Sequence, residues 1–180
     1  MYTETNLTIK FNTTSAANSA KEIARKAILT IKDDDYGYRN AVQIAADNLT
    51  VENETLTIPE EHLAFRTEYW MDIAPIIIKA IAEQLQNGIF TFESYSSNCY
   101  SELEMDGEYK DGTLEINSTY YPEGYTESVY CPECGEDVVT FDEYESNKTY
   151  ICPHCGEKVD LSREYENSKP VIEKETIKIK

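Results

Sequence analysis

Four cysteines of this 180-residue chain stand in two Cys-Pro-x-Cys-Gly knuckles, Cys131-Pro-Glu-Cys134-Gly and Cys152-Pro-His-Cys155-Gly. The spacing between them, C-x2-C-x17-C-x2-C, lies in the range typical of structural zinc sites. Each knuckle aims two thiolates at one point, and Gly135 and Gly156 permit the tight backbone after the second cysteine. Four thiolates at about 2.3 Å satisfy a tetrahedral Zn²⁺ and leave no open position for water or substrate. Such a site holds a fold and does not catalyse. A segment this short has little core, so metal binding supplies most of its folding free energy. The insert is long enough for a hairpin, with strands expected at 137–141 and 148–151 and a loop at 142–147. His154, lying between two ligands, is expected to point outward.

No other constellation meets the requirements of a reaction centre. Cys99 alternates onto the apolar side of its segment and reads as a buried, inert thiol. His62 opens a helical segment, and the only other histidine lies inside a knuckle. Asp33-Asp34-Asp35 lacks the D-x-D-x-D-G spacing and terminal Glu of a calcium loop. Carboxylates are abundant, but abundance without a cleft does not make an acid–base pair. The chain is therefore expected not to be an enzyme.

Charge is the outlying property: 34 acids against 16 bases give a net charge of −18. Residues 91–145 hold 15 acids and a single base, Lys110. Such a block repels phosphate backbones and attracts basic surfaces. It excludes direct nucleic-acid binding by this region, which would need Lys and Arg to displace counterions. Nine of the 14 tyrosines lie in residues 95–150, and tyrosine is well suited to anchoring interfaces. No apolar run reaches the roughly 18 residues of a membrane span. The opening MYTETNLTIKFN has neither a basic nor an apolar signal region. With the cysteines in a metal pattern and not a disulfide framework, a cytoplasmic setting is expected. The six Asn-x-Ser/Thr triplets are then incidental.

The elements that must position these residues follow from periodicity. Residues 6–11 alternate as a half-buried strand, and Thr14 or Ser15 can cap a helix over 16–32. Residues 49–51 and 55–58 read as a hairpin. A second helix is expected over 69–86, with Pro75 kinking it or marking a start at Ala74. Strands are expected at 89–93, 99–105 and 113–121, with turns at 94–98 and 106–112. Alternation then gives one apolar sheet face against the helices and another studded with Glu93, Glu102, Glu104 and Glu115. Tyr100 and Tyr121 accompany those glutamates as candidate partner-binding residues. The last six residues alternate like an edge strand. The fold class is thus α+β: an antiparallel sheet with two main helices on one face, followed by a small four-cysteine zinc ribbon. The expected division is an α+β domain at 1–124, the ribbon at 125–160 and a C-terminal extension with a terminal strand at 161–180.

Residues 131–156 resemble the zinc-ribbon family, whose four-cysteine pattern is carried here by Cys131, Cys134, Cys152 and Cys155. That resemblance covers only those 26 residues and implies one structural Zn²⁺. Ribbons of this kind often belong to transcription, translation or DNA-processing proteins. Glu136, Asp137, Asp142, Glu143 and Glu145 in the insert depart from a nucleic-acid-binding ribbon. In size, charge and absence of a catalytic motif, the whole chain is similar to small acidic inhibitors of phages and mobile elements, including anti-CRISPR proteins and antirestriction DNA mimics. The profile implies docking on a basic protein surface, with the positively charged channels of a Cas9-type nuclease as a suitable target. An accessory subunit of a transcription or replication complex is the alternative.

Overall fold

The computed structural model describes residues 4–31, 41–58, 67–85, 88–97, 102–121 and 128–179, and the N-terminal alternation becomes strand β1 (Glu4–Phe11). Leu7, Ile9 and Phe11 are buried, while Thr8 and Lys10 fall on the opposite face. Thr13 caps helix α1 (Thr14–Ile28), its hydroxyl accepting the Ala16 N–H at 3.1 Å. The buried stripe of α1 is mostly alanine (Ala17, Ala20, Ala24, Ala27 with Ile23 and Ile28), so neighbouring elements can approach closely. Helix α2 (Ala41–Asp47) follows. Its Asp47 accepts from Gln43 at 2.7 Å and from Arg25 of α1 at 3.2 Å. These bonds, Gln43 first, hold the Asp47 carboxyl below its ordinary range.

Strands β2 (Thr50–Glu52) and β3 (Thr55–Ile58) form the expected hairpin. Helix α3 (Thr67–Gln84) buries Trp70, Ile73, Ala74, Ile77, Ile78, Ile81 and Ala82, the spacing of a single helical stripe. Pro75 lies inside this helix, which neither begins nor ends there. Trp70 Nε1–H donates to Ser94 Oγ at 2.6 Å, and Ser94 Oγ–H donates to the Asn6 carbonyl at 2.6 Å. A buried serine thereby joins the helix to two strands.

Of the next three strands, two depart from the expected boundaries and the third keeps them. β4 (Phe90–Ser97) continues as far as Ser97 into the turn expected at 94–98, placing Ser94 and Ser96 in the core. β5 (Glu102–Lys110) extends five residues past Met105, and β6 (Thr113–Tyr121) begins as expected. The reversal is confined to Asp111 and Gly112, with φ of 51° and 72°, the paired left-handed conformation of a tight hairpin turn. Gly107 is thus a strand residue. A Cβ there would collide with the Glu115 carbonyl oxygen and come within 2.6 Å of the Phe92 ring, so glycine serves close packing and not a bend.

The chain forms two compact units: Met1–Tyr120 with Ile172–Lys180, and Tyr121–Val171. In the second unit, β7 (Ser128–Tyr130) pairs with β8 (Asp137–Thr140), and β9 (Tyr150–Ile151) pairs with β10 (Lys158–Val159), both antiparallel. The hairpin expected within the insert is therefore replaced by two hairpins, one across each knuckle. The knuckle itself reverses the chain, so the residues on either side of it are already placed to pair. Helix α4 (Ser162–Ser168) closes this unit, with Tyr165 stacked on Tyr144 at 4.1 Å and tilted against Phe141 at 5.3 Å. Its core is Val129, Tyr150, Val159 and Leu161 around the buried cysteines.

Strand β11 (Val171–Lys178) then joins the first unit. The complete sheet has seven strands in the order β11-β6-β5-β4-β1-β3-β2. Helices α1 and α3 cover one face, and the opposite face carries the exposed residues of the strands. The terminal strand pairs within the chain, with the Ile179 N–H donating to the Gly112 carbonyl at 2.9 Å. Among the described residues no helix is long and apolar enough to cross a membrane.

Candidate metal centre and acidic sheet face

Each knuckle is closed by the same two backbone bonds. Cys131 N–H donates to Glu136 O at 2.8 Å and Gly135 N–H to Cys131 O at 2.9 Å; Cys152 to Glu157 and Gly156 to Cys152 repeat the pattern at 2.9 Å each. Gly135 and Gly156 have φ of 76° and 78°, and a Cβ on either would meet nothing within 4 Å. Backbone conformation, and not space, requires glycine at both positions.

The four sulfurs converge as their spacing implies. All four Sγ atoms lie within 4.8 Å of one another. Cys131–Cys155 and Cys134–Cys152 are 3.7 Å and 3.6 Å apart. A tetrahedron with metal–sulfur bonds of about 2.3 Å has edges of about 3.8 Å, whereas a disulfide needs about 2.05 Å. Both of these pairs run between knuckles, which ties the two hairpins to one point. These cysteines are positioned to bind a metal ion. Cys131 and Cys152 are buried and Cys134 and Cys155 exposed; His154 is exposed as expected.

Backbone amides prepare the sulfurs unevenly. N–H donation from Cys155, with a further bond from His154, brings the Cys152 thiol down to about 6 despite its desolvation. Cys134 accepts from the Glu136 amide, but desolvation and the neighbouring thiols outweigh that bond and push it up to about 12. Cys155, likewise bonded by the Glu157 amide, is raised by desolvation and its neighbours. One thiolate is ready and at least two protons must leave for a four-thiolate site to form.

The second assembly is the open face of the sheet. Glu93, Glu104 and Glu115 line a groove of about 850 Å³, together with Asp106, Glu108, Tyr95, Asn6 and Asn117. Glu93 stands directly opposite Asp106, and Tyr95 opposite Glu104. Asn117 Nδ2–H donates to Asp106 Oδ1 at 2.8 Å, and the Tyr95 amide donates to Asn6 Oδ1 at 3.2 Å. Glu102 shares this face at the start of β5 without lining the groove, and Tyr121 shares it at the end of β6. Tyr100, Cys99, His62 and Asp33–Asp35 lie outside the described residues.

Sequence reasoning missed Asp106 and Glu108, because both were assigned to a turn. The signal was present: with Asp111-Gly112 as the whole turn, residues 102–110 read as charged–apolar alternation, interrupted on the inner side only by Gly107. Asn6 and Asn117 carried no comparable signal, since their roles depend on which strands are neighbours. No protein-family model, curated protein or solved structure matches this chain.

Proposed function

We propose that this protein is a non-enzymatic inhibitor that docks its acidic sheet face on a basic surface of a nucleic-acid-handling enzyme. A Cas9-type nuclease in a bacterial or phage-infected cell is the favoured target, as for an anti-CRISPR protein. Structural Zn²⁺ is the metal assigned to the ribbon: four thiolates fill its tetrahedron and leave no position for catalysis. The observation that carries the reading is the convergence of five carboxylates on one uncovered groove, two of them directly opposed across β4 and β5. Opposed like charges destabilise a sheet, so the arrangement supports a face shaped for a partner. Basic channels that accept a nucleic-acid heteroduplex and a displaced strand supply complementary charge. The same face repels nucleic acid itself.

The test is DNA cleavage by a purified RNA-guided nuclease in the presence of this protein. Inhibition is expected, weakening as salt rises, and the triple variant Glu93→Lys, Glu104→Lys, Glu115→Lys is expected to abolish it. Undiminished inhibition by a folded triple variant removes the acidic face from the mechanism. Absence of binding to a panel of such nucleases overturns the choice of target.

A further inference from the structure

We infer that metal occupancy of the ribbon governs the docking of β11 on the edge of the main sheet. The inference rests on reading Cys131, Cys134, Cys152 and Cys155 as a metal staple, and its origin is the topology. Strands β6 and β11 are neighbours in one sheet, yet the whole second unit, Tyr121–Val171, lies between them in the chain. The ribbon is thus an insertion into what would otherwise be a simple hairpin.

Two observations link the state of that insertion to β11. The first and last elements of the ribbon unit, β7 and α4, pack against each other. A folded ribbon therefore brings its two ends together, as adjacent placement of β6 and β11 demands. An unfolded ribbon would instead make β11 close a flexible loop of 49 residues, from the end of β6 at Tyr121 to the start of β11 at Val171. With the ribbon folded, closure spans only the sequence from Tyr121 to Ser128 and from Ser168 to Val171. The three-halves power of the loop-length ratio makes β11 docking on the order of tenfold more favourable when the ribbon is folded.

The second observation is how lightly β11 is held. Residues 171–176 are all exposed, Ile172 at 74 %. Ile177 and Ile179 are only partly buried against the core. Its remaining ties to the sheet unit include the exposed Lys79–Glu175 pair at 3.4 Å and a bond from Lys178 Nζ to Thr113 Oγ1. An exposed ion pair contributes little, so the strand is held mainly by its backbone pairing with β6, and a tenfold change in closure acts directly on that pairing. Parity with Glu175 and Ile177 places Lys174 and Lys178 on the open face. Release of β11 would remove these two cations from beside β6, the strand that carries Glu115. It would also turn β6 into the sheet edge. Metal in the ribbon would in this way tune the charge and border of the acidic face.

Hydrogen exchange on the full-length protein tests this, comparing the Zn²⁺-loaded form with the form stripped by a chelator, and native mass spectrometry reports the metal. Amides of 171–179 are expected to exchange about tenfold faster on stripping, while those of β1 and β4 stay unchanged. Ribbon amides losing protection with 171–179 unaffected overturns this inference and leaves the staple reading intact. Ribbon amides unaffected by metal removal overturn the staple reading, and this inference with it. The reciprocal measurement uses Ile177→Ala, which touches no cysteine. Linkage requires that a change weakening β11 docking lower the Zn²⁺ affinity, and unchanged affinity in a chelator competition contradicts the coupling.

Discussion

Replacing Glu93 by Gln is expected to stabilise the sheet unit. Glu93 lies opposite Asp106 on β5, with Glu104 and Glu108 in the diagonal positions and Thr8 on its other side. Directly opposed side chains stand about 5.5 Å apart and diagonal ones about 7 Å. At the dielectric constant of water, the direct repulsion is about 0.7 kcal/mol and each diagonal one about 0.6 kcal/mol before screening. A Debye length of about 10 Å at 0.1 M salt reduces the three together to about 1 kcal/mol, and one of about 3 Å at 1 M leaves only about 0.2 kcal/mol. The glutamine keeps the shape and the aliphatic packing, so the difference isolates charge. For a chain of this size, about 1 kcal/mol corresponds to a rise of roughly 2–4 °C in Tm. Fluorescence of the single tryptophan, Trp70, is the assay, because that residue is fully buried in the sheet unit and reports its unfolding alone. The gain should be present at low salt and nearly vanish at 1 M. A destabilised variant, or a gain independent of salt, would refute the claim that this face stores repulsion.

Two further outcomes follow from the geometry. Gly107→Ala is expected to cost about 3 kcal/mol or more, read by urea unfolding, since the added methyl meets a backbone carbonyl that cannot swing away and the Phe92 ring. Loading the stripped protein with Zn²⁺ at pH 7 is expected to release close to four protons per metal, because the thiols of an unfolded ribbon, with an ordinary pKa of about 8.5, are mostly protonated there. Affinity should therefore fall steeply as the pH is lowered. A pH indicator in weakly buffered solution measures the protons, and pH-independent affinity would contradict the four-thiolate assignment.

What the sequence determined by itself is what short-range chemistry decides. Two Cys-Pro-x-Cys-Gly turns each close on their own backbone hydrogen bonds, so their spacing sufficed to bring four sulfurs together. Helix α3 carries its apolar stripe in its own periodicity, and β1 and the β2–β3 hairpin carry theirs in simple alternation. The β4–β5–β6 region was half legible. Its carboxylates alternated visibly, but Gly107 resembled a turn residue, and only the closeness of Glu115 and Phe92 shows why glycine stands in that strand. The partners of the knuckle strands were likewise hidden, because a strand names its faces and not its neighbour. Tertiary structure alone decided three things: the groove in which five carboxylates from three strands meet, the buried bridge from Trp70 through Ser94 to Asn6, and the pairing of β11 with β6 across the ribbon. Each joins residues far apart in the chain, where the entropy of closing the loop and the packing of the whole sheet settle the outcome and no local pattern can.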